Sequence, residues 1–110
     1  MLNKALVIAA VAVGVLGLLV WRSAHAAEVV TARVTLVEPT YMPNVVSFQI
    51  DKPFPSCPLG SWLTWNKGPD NNRAVYAALL SAMSSGKRIT LYINSGDTTC
   101  TGQYLHVLKD

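Results

Sequence analysis

The sequence is poor in the residues from which catalytic and metal centres are built. It holds two cysteines and two histidines in 110 residues. His25 lies in a leader-like segment, so the rest of the chain offers Cys57, Cys100 and His106, too few for a four-ligand structural metal site. There is no Gly-x-Ser-x-Gly elbow, phosphate loop, dinucleotide fingerprint or calcium loop. His106 has no matched nucleophile, and Asp51, Asp70 and Asp97 fall at loops or caps, where carboxylates ordinarily form turns. The expectation is a non-enzyme with no catalytic residues, no metal and no cofactor.

Charge is scarce too, at 14 % of residues, and its sign is misleading. Nine Lys and Arg stand against six Asp and Glu, but Lys4 and Arg22 belong to the leader, which leaves seven against six. A near-neutral chain lacks the basic groove that single-stranded nucleic acid requires, so no nucleic-acid partner is expected.

The one long hydrophobic run is at the start. Lys4 is followed by an uninterrupted apolar stretch, Ala5 to Val20, of 16 residues, and Ala24-His25-Ala26 is a small-x-small cleavage site. These features read as a secretory signal peptide, residues 1–26. Its apolar run falls short of the roughly 20 residues that span a bilayer, and no cysteine stands at a lipid-attachment position, so no stable membrane anchor is expected after cleavage. The protein is then exported, to the periplasm or beyond. Residues 27–110 carry no repeat, no low-complexity tract and no linker, and they make one small domain. In an oxidising compartment Cys57 and Cys100 read by default as a disulfide; a metal site and a free thiol are the competing readings.

The stretch from Asp70 to Leu108 organises the domain. Val75, Tyr76, Leu79, Leu80, Ala82 and Met83 recur at spacings of three and four, which predicts an amphipathic helix over Asn72–Ser85. Asp70, Asn71 or Asn72 can cap its start, and Gly86 ends it, with Lys87 and Arg88 at the negative end of its dipole. The period then becomes two, because Ile89, Leu91 and Ile93 alternate with Thr90, Tyr92 and Asn94. Upstream, Val30, Ala32, Val34 and Leu36 predict a first strand, and Val46, Phe48 and Ile50 a second. Three prolines make residues 52–58 an irregular connection, and residues 59–66 a third strand bearing Trp62 and Trp65. A last strand holds Tyr104 to Leu108.

Three strands, a helix and two strands in a small exported domain is the order of an OB-fold, a five-stranded Greek-key barrel. In that barrel the third and fifth strands lie parallel, and Cys57 and Cys100 stand just before their starts. A roll with the helix packed on one face is the alternative arrangement.

The run Tyr76-Ala-Ala-Leu-Leu-Ser-Ala-Met-Ser-Ser-Gly-Lys-Arg-Ile-Thr-Leu-Tyr92, followed by Cys100-Thr-Gly-Gln-Tyr104 and a hydrophobic strand, resembles the C-terminal half of the B subunits of subtilase-type and typhoid-type AB5 toxins. The resemblance covers the last half of the chain plus Cys57 with its following strand. It implies an OB-fold, a bridged cysteine pair, a ring of five copies, and binding of host glycans on behalf of a separate enzymatic subunit.

Trp62, Trp65, Tyr92 and Tyr104 are the candidate ligand-binding residues, because aromatic faces beside polar groups suit sugars and protein partners alike. For the two tryptophans the alternative is a place in the core. Two functions follow: a glycan-binding subunit, oligomeric and toxin-like, or a periplasmic structural or inhibitory protein that binds another exported protein and no sugar.

Overall fold

The computed structural model describes residues 26–110. The expected leader, residues 1–26, lies outside them but for Ala26. The described chain is mainly β, with one helix: β1 (Ala27–Glu38), β2 (Val46–Ile50), β3 (Leu63–Trp65), α1 (Pro69–Ser85), β4 (Arg88–Asn94) and β5 (Gly102–Val107). The strands form one antiparallel sheet in the order β3-β2-β1-β4-β5. Its two edge strands approach each other at one isolated parallel bridge, Thr64 with Thr101, where the Thr64 N–H donates to the Cys100 carbonyl at 3.1 Å.

The period-two patterns set the inner face. Val46, Phe48 and Ile50 of β2 and Ile89, Leu91 and Ile93 of β4 are buried, with Ala32, Val34, Leu63 and Trp65 completing the sheet's share of the core. Leu36 does not join them. The register between β1 and β2 shifts between Val34 and Leu36, so Thr35 is an extra residue in β1. A bulge of this kind reverses the alternation beyond it. Val37, opposite Phe48, packs on the core, whereas Leu36 and Glu38 fall on the outer face.

The helix is longer at its start than the apolar spacing suggests. It begins at Pro69, in the first-turn position where a missing N–H costs nothing, and Gly68 is its N-cap. Neither Asp70, Asn71 nor Asn72 caps it with a side chain. Asp70 instead meets Arg73 at 3.1 Å in an exposed pair. At the other end Gly86 takes the left-handed conformation (φ 69°), its N–H reaching the Met83 carbonyl, while the Lys87 N–H reaches the Ala82 carbonyl. That is the paired closure for which glycine is favoured. No basic residue lies in the last turn; the cation there comes from β1, whose Arg33 Nε donates to the Gly86 carbonyl at 3.2 Å. The helix rests on β1 and β2 through buried Leu79 and Ala82, with Val75 and Tyr76 against the core. Met83, expected on that stripe, is exposed, and the small Ala82 side chain makes the last-turn contact instead.

Cys57 and Cys100 are joined, with their α carbons 6.1 Å apart across 43 positions of sequence. Closing a loop of that length constrains the unfolded chain by about 4 kcal/mol in the entropy model. Cys100 directly precedes the bridge residue Thr101, but Cys57 lies six residues ahead of β3, because β3 spans only Leu63–Trp65 and not the expected 59–66. Residues 58–62 run as turns, tied by the Ser61 N–H to the Pro58 carbonyl and the Gln49 amide to the Gly60 carbonyl. Where the edges meet, Gly102 is required by space: a β carbon there would stand 2.8 Å from the Trp65 ring and 3.2 Å from Leu91.

Candidate functional site

The outer face of the sheet carries two separate groups of exposed aromatic side chains. The first begins with the β1–β2 pair Glu38 and Ser47: Ser47 is outward by the alternation of β2, and the Thr35 bulge turns Glu38 outward beside it. The intervening turn holds Tyr41, and its backbone closes on itself through the N–H groups of Asn44 and Val45, both donating to the Tyr41 carbonyl. From beneath, the turn is fixed by Asn72 of α1, which is fully buried. Its Nδ2 donates to the carbonyls of Pro43 at 2.8 Å and Asn44 at 3.2 Å, and its Oδ1 accepts the Lys67 N–H at 3.0 Å. A buried neutral amide, engaged through both its nitrogen and its oxygen, is therefore the support of the Tyr41 turn.

Trp62 closes the other side. It lies one residue before β3, beyond Gln49 of β2, and is 48 % exposed; Tyr41 is 60 % exposed. Between them is a cleft of about 300 Å³ lined by Glu38, Tyr41, Ser47 and Trp62. Glu38 is oriented by Thr40, whose N–H and hydroxyl both donate to Oε1. Two aromatic rings, a carboxylate and a hydroxyl thus converge on one opening.

The second group lies on β1, β4 and β5. Val29, Tyr92 and Tyr104 form a cross-strand row, and Thr31, Thr90 and His106 form the next. Tyr92 meets Tyr104 edge-on with ring centres 6.0 Å apart and meets His106 at 5.5 Å. Beyond the β5 edge is a shallow concavity of about 440 Å³, lined by Lys67, Asn71, Gln103, Tyr104, His106 and the rim of Trp65 among others.

The four aromatic candidates therefore occupy three places. Tyr92 and Tyr104 are together, Trp62 is in the other cleft, and Trp65 is a core residue. Trp65 is only 6 % exposed; its ring abuts Gly102, its Nε1 donates to Asn71 at 2.8 Å, and Lys67 Nζ stands 5.6 Å from the ring centre. At the end of β3 it points inward, and only its rim reaches the concavity beyond β5. Tyr41, Glu38 and Ser47 were not singled out from sequence. Ser47 is visible as an outward position of β2, but the outward turn of Glu38 depends on the bulge and that of Tyr41 on Asn72.

The chain matches no family model, no curated protein and no solved structure. Its chemistry is accordingly that of its own geometry. Among the described residues, no group of three or more His, Cys, Asp or Glu side chains is placed to hold a metal ion, and no helix is long and apolar enough to cross a membrane.

The remaining structured carboxylates are occupied. Glu28, at the start of β1, accepts the Ser56 hydroxyl at 2.6 Å, the Ser56 N–H at 2.8 Å and the Gly96 N–H at 2.8 Å. The Ser56 hydroxyl, followed by the Gly96 N–H, holds its acid below the ordinary carboxylate range. Asp97 is lowered in the same way, first by the Thr99 hydroxyl at 2.5 Å and then by the N–H groups of Thr101 and Thr99. Both carboxylates organise turns around the disulfide.

Proposed function

We propose that the protein is an exported, non-catalytic binding module of the OB type that takes a glycan in the cleft between Tyr41 and Trp62. The observation that carries this reading is the cleft itself: two exposed aromatic faces flanking a carboxylate and a hydroxyl. Sugars present apolar C–H faces to such rings and hydroxyl donors to such oxygens. The OB assignment is supported by the strand order, by the helix lying between β3 and β4 in the chain, and by the parallel bridge between β3 and β5. Export is supported by the disulfide, which persists in oxidising compartments. The resemblance to AB5 toxin B subunits points to the same ligand class.

A glycan array probed with the disulfide-bonded protein tests the proposal directly. Binding to a defined set of glycans is expected, with Trp62→Ala reducing the signal at least about tenfold, the equivalent of roughly 1.4 kcal/mol. An array with no hits, or hits that survive Trp62→Ala together with Tyr41→Ala, would overturn it.

The row of Val29, Tyr92 and Tyr104 favours a second reading for the opposite strands, namely contact with protein. Val29 is 50 % and Tyr104 67 % exposed, and aromatic rings of this kind anchor protein interfaces. The partner is another copy of the chain, in a ring of five if the resemblance extends to assembly, or a different exported protein. Sedimentation at micromolar concentration separates these: a discrete oligomer supports the ring, and a monomer removes it.

A further inference from the structure

We infer that the concavity beyond the β5 edge is a second binding site, separate from the Tyr41–Trp62 cleft, and that it takes a small organic molecule bearing an oxyanion: a carboxylate, or a sulfate or phosphate ester. The inference does not depend on the glycan reading of the other cleft. It rests on which hydrogen-bonding groups in the concavity are already used. Trp65 Nε1 and Lys67 Nζ are donors only, so the amides they meet must present oxygen to them. Asn71 Oδ1 accepts from Trp65 at 2.8 Å, and Gln103 Oε1 accepts from Lys67 at 3.2 Å. Each contact consumes an acceptor and fixes the orientation of the amide. The NH2 groups of Asn71 and Gln103 are thereby left without a partner among the described residues, and the Lys67 ammonium keeps donors to spare. No Asp or Glu lines the concavity, and Asp70, the carboxylate next to Asn71 in sequence, is paired with Arg73 at 3.1 Å. The lining thus has a cation and an excess of donors, with its amide acceptors satisfied from within. An ionised oxyanion is an acceptor with no proton of its own to place, and it forms charge-assisted bonds to such groups.

These donors are held by buried structure. The Lys67 backbone N–H is bonded to the fully buried Asn72, and its Nζ stands 5.6 Å from the centre of the Trp65 ring, which abuts Gly102 in the core. Asn71 is tied to the same indole, and Gln103 directly follows Gly102 on β5. At about 440 Å³ the space is larger than a bare ion needs and falls within the range of small-molecule sites. The exposed Tyr104 ring and the half-buried Leu105 supply apolar surface beside the donors, so the ligand carries an apolar body next to its charged group.

The test titrates the nitrogen-labelled, disulfide-bonded protein with benzoate, phenyl sulfate and phenyl phosphate, each against neutral benzamide, and follows the side-chain amide signals of Asn71 and Gln103 by NMR. At least one of the three anions is expected to shift both signals and to bind about tenfold tighter than benzamide, since hydrogen bonds to charged groups exceed neutral ones by that order. Lys67→Met keeps the aliphatic stem over Trp65 and should weaken that anion by about tenfold. Gln103→Glu keeps an acceptor for Lys67 and turns the free NH2 group into a carboxylate oxygen, so it should abolish anion binding. Both side chains lie outside the core, and unshifted backbone signals from Leu91 and Phe48 in each variant confirm that the fold is retained. Benzamide binding as well as the anions, no binding of any anion at millimolar concentration, or anion binding that survives Gln103→Glu overturns the inference. Inorganic sulfate binding as tightly as phenyl sulfate overturns the assignment of an organic ligand.

Discussion

Two regions of the domain solve the same problem with different chemistry. Around the start of β1, the end of β4 and the start of β5, irregular chain is held by the Cys57–Cys100 bridge and by two ionised carboxylates, Glu28 and Asp97. Around the end of β3, the start of α1 and the β1–β2 turn, it is held by one neutral side chain, Asn72, which bonds to Pro43, Asn44, Asn66 and Lys67. Both regions satisfy buried backbone groups that no strand or helix can satisfy. The first responds to redox conditions and to acid. The second responds to neither, and it is the one that supports the candidate cleft. The Tyr41 side of the proposed cleft thus rests on a support with no titrating or redox-active group.

The contrast can be broken most forcefully from the covalent side. Replacing both cysteines by alanine should lower stability by about 4 kcal/mol, measured by urea unfolding. The cleft's ligand affinity should survive wherever the protein remains folded. Asn72→Ala comes next. It strands the Lys67 N–H and the Pro43 and Asn44 carbonyls, and should cost about 3 kcal/mol, since each buried group left unpaired costs about 1 to 3. Unlike the cysteine variant, it should also weaken binding at Tyr41. If the two variants lose affinity equally, the division into two regions fails.

Acid sharpens the comparison. Glu28 and Asp97 have folded-state pKa values below their unfolded ones. The stability they contribute is fully present above the unfolded carboxylate value, about 4, and is lost as the pH falls through the lowered folded values. Hydrogen-exchange protection at Gly96, Thr99 and Thr101, relative to the intrinsic rate at each pH, should therefore fall on acidification before protection at Lys67 does. Glu28→Gln should reduce that pH dependence. The smallest expected effect is on stability in Trp62→Ala, within about 0.5 kcal/mol because the ring is half exposed and outside β3. A larger loss would mean that Trp62 supports the fold and not a ligand.

Much of the sheet is legible from alternation alone. The buried faces of β2 and β4 and the glycine stop at Gly86 are written within a few residues of where they act. Leu36 is misread because a single extra residue in β1 moves it to the other face, and nothing in a period-two pattern announces such an insertion. The helix start is misread for a related reason: Asn72 has the composition of a cap, but at the fourth position of α1 its amide reaches chain segments distant in sequence. The site was half legible. Trp62 and Tyr104 are exposed and Tyr92 is half-buried on the outer face of β4, whereas Trp65 is drawn inward by the close approach that Gly102 permits.

The position of the bridge has a mechanical consequence. The segment between Cys57 and Cys100, which are 43 positions apart, encloses β3, α1 and β4, and each enclosed strand pairs with strands outside the loop: β3 with β2, and β4 with β1 and β5. When the oxidised chain is pulled from its two ends, the force passes through the sulfur atoms and the enclosed segment cannot extend. Roughly 150 Å of contour, at about 3.4 Å per residue, is withheld until the bond is reduced, so a tethered copy under shear yields in a short first step and releases the remainder only in a reducing medium.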